Sequence, residues 1–268
     1  MTGTTAAPTT DFLTGWQAWH DAREARFREP YGWTSVTALH WLEDAPSRLD
    51  DLPGLWSWTG EVARVESRAV DGLALVDGPL VDGVLEIGLA ALAAGVSLTV
   101  GERRLEVASR GGRAIVRVRD PRSEHRAAFA GIETFAPDER WVVPARFEPF
   151  DATTVVTTGS VVEGVDVEHA AVGTLHAELE GIPVSLVVFA TATGPGWILF
   201  RDATSGLTTY PGARFVTLGE VGPDGAVELD LNRASNLPCA VTSFATCPVP
   251  PAQNTIPVPV EAGERWTR

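Results

Sequence analysis

A polar segment carrying side chains suited to binding or catalysis follows an apolar run. Residues 196–200 read GWILF, and residues 201–214 read RDATSGLTTYPGAR. Charged side chains that come directly after a buried strand are expected to be drawn inward, where they must be paired. Polar groups that converge over an apolar floor are typical of a ligand pocket. We therefore interpret this segment as the mouth of a site.

A second polar group lies at residues 227–239, which begin VELDLN. The alternation of a strand would place Asp230 and Asn232 on one face. Asn236 and Cys239 follow shortly after. We predict that the two polar groups meet at neighbouring strand ends, where arginines of the first segment pair with aspartates of either segment.

The preferred hypothesis is a pocket that binds a small anionic or polar molecule. Arg201 and Arg214 would clamp a carboxylate or phosphate through paired N–H groups, and Trp197 would stack on the ligand. The candidate ligand-binding residues are Arg201, Thr204, Ser205, Arg214, Asn232, Asn236 and Trp197. For residues 204–206 alone, Thr-Ser-Gly, an ordinary turn is the favoured interpretation.

Two other functions stay open. The first is a metal-independent hydrolase that cleaves an ester or acyl bond, with an aspartate as general base. Its candidate catalytic residues are Asp202, Asp230, Tyr210 and Cys239. No Gly-x-Ser-x-Gly motif is present, and Cys239 has no assigned histidine partner. The second is a protein-interaction scaffold, so the sequence leaves open whether the protein is an enzyme.

Composition excludes several classes of function. The formal net charge of −14 disfavours nucleic acids and anionic membranes as partners. All 21 basic residues are arginine, so Schiff-base chemistry and a phosphate-loop lysine are excluded. The two cysteines and five scattered histidines form no zinc motif. We expect no cofactor and no bound metal, with a site made of distant carboxylates left open.

The sequence also indicates where the protein resides. The first residues have no basic start followed by an apolar run, and no apolar stretch is long enough to span a bilayer. We expect a cytoplasmic protein in which Cys239 and Cys247 are thiols rather than a disulfide. A homo-oligomer is left open.

The predicted fold is mainly β, with antiparallel sandwich or barrel-like units. We expect a disordered tail at 1–9, an N-terminal helix plus small β unit at 10–140, and an antiparallel β unit at 141–268. The helix is indicated over 11–28, because Phe12, Trp16, Trp19, Arg23 and Phe27 recur at three- and four-residue spacing. A proline-rich C-terminal arm, residues 247–266, is expected to run extended over the surface.

Three strands joined by short turns are predicted in the C-terminal unit. The segments VGTLHAELE, VSLVVFAT and WILFRD form an antiparallel meander. A further pair, RFVTL and VELDLN, is predicted around the turn signal at residues 222–225.

The chain after about Arg113 resembles a bacterial and archaeal family of unknown function, domain-of-unknown-function family 1684. Relatives carry Asp-x-Thr-Ser-Gly-x-x-Thr-Tyr-x-x-x-Arg, then Asp-Phe-Asn, an Asn-Pro-Pro-Cys-Ala-Phe segment, a second Cys-Pro-x-Pro-Pro and a closing Ala-Gly-Glu. The residues that match are Asp202, Thr204, Ser205, Gly206, Thr209, Tyr210, Arg214, Asp230, Asn232, Asn236, Pro238, Cys239, Cys247, Pro248, Pro250, Pro251, Asn254, Gly263 and Glu264. The resemblance singles out this region and implies no reaction.

Overall fold

The chain forms two compact units in the computed structural model, which describes residues 8–192, 194 and 196–266. The first unit comprises the chain up to Ala25, Gly131–Ala240 and the residues from Cys247 onward. The second comprises Arg26–Ala130 and Val241–Thr246. This division differs from the expected boundary after residue 140, because most of the N-terminal helix belongs with the C-terminal sheet.

The N-terminal helix, α1, spans Thr10–Arg28. Of the predicted tail at 1–9, residues 1–7 lie outside the described residues, and Thr9 donates from its backbone and hydroxyl to Glu139 Oε1 at 2.6 and 2.5 Å. Trp16 and Phe27 are buried on the predicted face, and the Trp16 indole N–H donates to the Asn232 carbonyl at 3.1 Å. The prediction of an N-terminal amphipathic helix is confirmed.

The second unit contains two antiparallel sheets around one apolar core. Its strands are β1 (Val36–Trp41), β2 (Leu55–Trp58), β3 (Val62–Ser67), β4 (Leu73–Leu75), β5 (Gly83–Gly88), β6 (Val96–Val100), β7 (Arg103–Arg110) and β8 (Arg113–Arg119). Short helices α2 (Leu89–Ala94) and α3 (Glu124–Ala127) complete it. The sheet orders are β1-β8-β7-β6-β4 and β2-β3-β5. Trp56 from the smaller sheet and Leu105 from the larger are both buried in the shared core.

The first unit is built on one seven-stranded antiparallel sheet. Its strands are β9 (Val142–Gly159), β10 (Asp166–Leu179), β11 (Ile182–Phe189), β12 (Trp197–Phe200), β13 (Arg214–Thr217), β14 (Ala226–Asp230) and β15 (Ser235–Asn236). The order across the sheet is β14-β9-β10-β11-β12-β13-β15. Strands β10, β11 and β12 are the predicted meander. Over the described residues no sheet closes into a barrel, and the mainly antiparallel β fold is confirmed.

The predicted pairing of the strands before and after residues 222–225 is wrong. The turn is present, since Gly225 N–H donates to the Gly222 carbonyl at 2.9 Å. However, β14 pairs with β9, while β13 pairs with β12 and β15 at the opposite end of the sheet. A turn signal specifies where the chain reverses, and the free sheet edge decides where the next strand adds.

The C-terminal arm is a partly buried element rather than a surface strap. Residue 255 bridges to Arg201, and residue 248 bridges to Ser160. Ile256, Val260 and Ala262 contribute to the core of the first unit. No helix among the described residues is long and apolar enough to cross a membrane.

Candidate functional site

Two residues of the first predicted polar segment form a buried network with the C-terminal arm in the first unit. Asp202 and Arg214 form an ion pair with Nη2 and Oδ2 2.7 Å apart, and their side chains are 0% and 1% exposed. The Arg214 guanidinium also donates to the carbonyls of Ala262 and Val260, both in the C-terminal arm. Arg214 is therefore engaged with its own chain instead of presenting the expected clamp to a ligand.

Asp202 organises the turn that follows β12. Its Oδ1 accepts bonds from the Thr204 backbone N–H and hydroxyl at 2.6 and 2.5 Å, and from Val260 N–H at 3.3 Å. The Asp202 N–H donates to the Ser205 hydroxyl at 3.1 Å. A carboxylate with both oxygens occupied and no exposed surface has no access to a substrate proton. Thr204 and Ser205 likewise close the turn.

Asn232 and Asp230 form a second closed group. Strand β14 ends at Asp230, and a 3-10 turn at Leu231–Arg233 replaces the predicted continuation of the strand. Asp230 Oδ1 accepts from the backbone N–H and the side-chain amide of Asn232, and Asn232 Oδ1 accepts from Asp138 N–H at 3.0 Å. Asn232 is completely buried, so it supports the local chain path.

Asn236 joins a third set of contacts centred on Glu264. Asn236 N–H donates to Glu264 Oε2 at 2.6 Å, and its amide donates to the Arg265 carbonyl at 2.9 Å. Arg23 Nε donates to Glu264 Oε1 at 2.7 Å, which attaches α1 to the arm. Sequence reasoning missed Arg23 and Glu264 as partners. An arginine on the apolar face of a predicted helix was the available signal, because a charge at such a position needs a buried partner.

Trp197 lies at the opposite end of β12 from Arg201. Its ring is 5.5 Å from Phe189 and 6.2 Å from Phe215, measured between centroids. Its indole N–H donates to the Ala190 carbonyl at 3.1 Å. Trp197 therefore packs in an aromatic group near the start of the strand, and it does not join Arg201.

The remaining predicted residues come together in a half-buried group that we call the Tyr210 cluster. Its members are Arg201, Tyr210, Cys239, Cys247 and Trp266. Tyr210 and Trp266 meet edge to face, with ring centroids 5.6 Å apart. The Trp266 indole N–H donates to the carbonyl of Ala240, next to Cys239, at 3.2 Å. Trp266 was not among the candidates from the sequence.

Gly212 connects Arg201 to Tyr210. Arg201 Nε donates to the Gly212 carbonyl at 2.7 Å. A Cβ atom added to Gly212 would lie 2.3 Å from the Tyr210 ring, so only glycine allows this close approach. Burial, together with the charges of Cys239 and Cys247, raises the pKa of Tyr210 to about 12, and Arg201 opposes this rise. The phenol is therefore a hydrogen-bond donor at neutral pH.

Two side chains of this cluster, Arg201 and Tyr210, carry hydrogen-bond donors that no described residue accepts from. Among the described residues, Arg201 has no carboxylate partner, and its Nη1 and Nη2 groups donate no hydrogen bond to protein. The Tyr210 hydroxyl is likewise without a protein partner in this part of the chain. A concave surface lined by residues such as Val142, Glu220 and Glu228 lies elsewhere in the unit and includes none of the predicted site residues.

The buried network lies within a region of the chain that matches a protein family. The family described as "Protein of unknown function (DUF1684)" matches residues 127–265, more than half of the chain. The chain belongs to this family. All the predicted site residues lie within the matched region, as do Cys247 and Glu264.

One solved structure and the curated proteins complete the comparison. The chain is similar to an uncharacterized protein of Haloarcula marismortui solved by solution NMR, with 29% identity. That likeness covers 53% of this chain and 80% of the other, with a TM-score of 0.45. No curated protein matches the chain. Among the described residues, no group of three or more His, Cys, Asp or Glu side chains is arranged to hold a metal ion.

Proposed function

We propose that this member of the family binds a small anionic molecule at the Tyr210 cluster. The observation that carries the proposal is the pair of unused donors on Arg201 and Tyr210. Among the described residues, the guanidinium is held by one bond, from Nε to the Gly212 carbonyl, and the edge formed by Nη1 and Nη2 has no protein partner. Two parallel N–H groups match the geometry of a carboxylate or phosphate.

The phenol of Tyr210 supports the same ligand class. With a pKa of about 12, it is protonated at neutral pH and donates to an anion. The net charge of −14 repels anions at long range, so recognition depends on short contacts within a half-buried site. Hydrogen bonds to charged groups are worth about 1.5–3 kcal/mol each when both partners are desolvated.

Binding is favoured over the hydrolase alternative by the state of the two aspartates. Asp202 is enclosed by Arg214 and Thr204, and Asp230 is bonded to Asn232 and Arg233. Asp202 is therefore not available as the general base that the hydrolase hypothesis required, and the partly exposed Asp230 carboxylate is already engaged in these bonds. The scaffold alternative stays a prediction.

The test is a thermal-shift and calorimetric screen of small carboxylates and phosphates on the full chain. The informative variant is Arg201→Gln, because glutamine removes the open edge while its amide still reaches the Gly212 carbonyl. Arg146→Gln is the matched control, since Arg146 is an exposed arginine of the same unit. We expect an anion whose stabilising effect is lost in Arg201→Gln and kept in the control. An anion that stabilises both variants equally, or no stabilising anion, would contradict the proposal.

A further inference from the structure

We propose that Cys239 and Cys247 are a redox-active dithiol that closes to an intramolecular disulfide by exchange with a small disulfide compound. The inference concerns the thiols alone and does not depend on anion binding by Arg201. The two residues are the only cysteines of the chain, so every thiol reaction of the protein reports on them.

The geometry places each sulfur against the main chain of the other cysteine. Cys239 N–H donates to Cys247 Sγ at 3.2 Å, and Cys247 N–H donates to Cys239 Sγ at 3.3 Å. Both side chains are thiols in the structure. This reciprocal arrangement brings the two side chains close together across a seven-residue connection, and such an approach is a precondition for a disulfide.

The N–H donors also favour the reactive form. A hydrogen bond to the charged form of a group stabilises that form, and the thiolate is the nucleophile in exchange. Buried thiols with a purely packing role lie in apolar surroundings and are inert. Here each sulfur accepts a backbone N–H.

The difference in exposure between the two cysteines indicates which thiol reacts first with the small disulfide and which reacts second. Cys239 is half-buried, whereas Cys247 is only 6% exposed. The Cys239 thiolate attacks one sulfur of the small disulfide, which forms a mixed disulfide and releases one thiolate. The Cys247 thiolate then attacks the Cys239 sulfur, which forms the internal disulfide and releases the second thiolate. The small disulfide is reduced to two thiols, and the protein dithiol is oxidised.

The experiment treats the reduced full chain with oxidised glutathione or with uncharged hydroxyethyl disulfide. Aliquots are quenched with iodoacetamide and analysed by intact-protein mass spectrometry. We expect the wild type to lose two hydrogens and to take up no alkyl group, with both thiols restored by dithiothreitol. The neutral reagent separates thiol exchange from any binding of glutathione carboxylates to Arg201.

Single variants test the assigned order. Cys247→Ser is expected to accumulate a stable mixed disulfide at Cys239, and Cys239→Ser is expected to react at least tenfold more slowly. Circular dichroism shows whether each variant is folded, and Cys→Ala versions replace any serine variant that is not. A wild type that is doubly alkylated after every treatment would overturn the proposal. Equal reaction rates of the two single variants would also overturn it.

Discussion

Arg214 and Asp202 form an ion pair from which solvent is excluded, with a separation of 2.7 Å. The pair is twelve residues apart in sequence, and both members lie under the C-terminal arm through contacts with Val260. In a buried ion pair, the attraction between the two charges offsets the large cost of removing them from water. Removal of one partner therefore leaves the other charge buried and unpaired. The polar residues after β12 thus hold the arm onto the sheet.

This relationship predicts a strong and coupled effect on stability. Arg214→Met and Asp202→Asn should each lower the free energy of unfolding by about 3–5 kcal/mol, because each leaves an unpaired buried charge. The double variant should cost less than the sum of the two. Urea unfolding at neutral pH measures all three. Arg146→Met, at an exposed position, should stay within about 0.5 kcal/mol of the wild type; additive effects of the two buried substitutions would contradict the coupling.

The sequence predicted the elements with strong periodicity. The spacing of Trp16, Arg23 and Phe27 indicated α1, and strict alternation around residue 175 indicated β10. Periodicity failed where a side chain redirects the backbone. Asp230 caps a 3-10 turn by accepting the Asn232 N–H, so the strand stops before Asn232 and that amide turns inward.

The sequence predicted which residue types lie in this region, but it did not predict how their side chains are arranged. The sequence showed that charged residues follow Phe200, and it could not show which of Arg201 and Arg214 is enclosed. That outcome depends on carbonyls of Val260 and Ala262, about fifty residues away and in a segment expected at the surface. Long-range main-chain acceptors leave no local pattern, because every residue carries the same carbonyl.

Asn254 should be essential for the link between β11 and β12. Its Oδ1 accepts from Val187 N–H at 2.7 Å, and its amide donates to the carbonyls of Val187 and Leu199 at 3.0 and 2.8 Å. Asn254→Leu leaves three buried main-chain groups without partners, each worth about 1–3 kcal/mol. We expect a loss of at least about 3 kcal/mol in chemical denaturation. Gln253→Ala, at the exposed neighbouring position, is the control, and equal stabilities of the two variants would contradict this role.

Glu106 in the second unit should give that unit an acid-sensitive stability. Its carboxylate bonds to Arg117 at 2.8 Å, Arg110 at 3.0 Å and Arg119 at 3.2 Å. Burial alone would raise the pKa of Glu106, but the three guanidinium groups outweigh it and hold that pKa below its usual value. The ionised Glu106 therefore makes its full contribution to the stability of the fold above about pH 4.3, the pKa of a glutamate in the unfolded chain. That contribution is lost as the pH falls through the pKa of Glu106 in the folded state.

Glu106→Gln tests this pH dependence. At pH 7 the variant should be less stable than the wild type, because three arginines lose their shared counter-charge. The difference between the two proteins should shrink as the pH falls below about 4. Urea midpoints followed across this range give the comparison. Glu43→Gln provides the control, since Glu43 is 70% exposed and its pair with Arg113 should contribute little. A difference that is constant with pH would argue against the ionic role.

Tyr210 should resist ionisation in the folded protein. Burial first, and then the charges of Cys239 and Cys247, raise its pKa to about 12, compared with about 10 for an ordinary phenol. The chain has only two tyrosines, so a Tyr31→Phe background leaves Tyr210 as the single phenol. Its phenolate absorbance should be absent at pH 10.5 in the native state, and it should appear near the ordinary value in urea.

The raised pKa of Tyr210 has consequences for the pH dependence of stability and for variants of the neighbouring residues in the cluster. A pKa that is higher in the folded state stabilises the fold below about pH 10, and that contribution is lost as the pH rises through about 12. Arg201→Gln should raise the pKa of Tyr210 further, because the cation that favours the phenolate is gone. Cys239→Ala, or oxidation of both thiols, should lower it. Half-ionisation of Tyr210 near pH 10 in the native protein would contradict the burial of the phenol in the cluster, because burial is the main cause of the raised pKa.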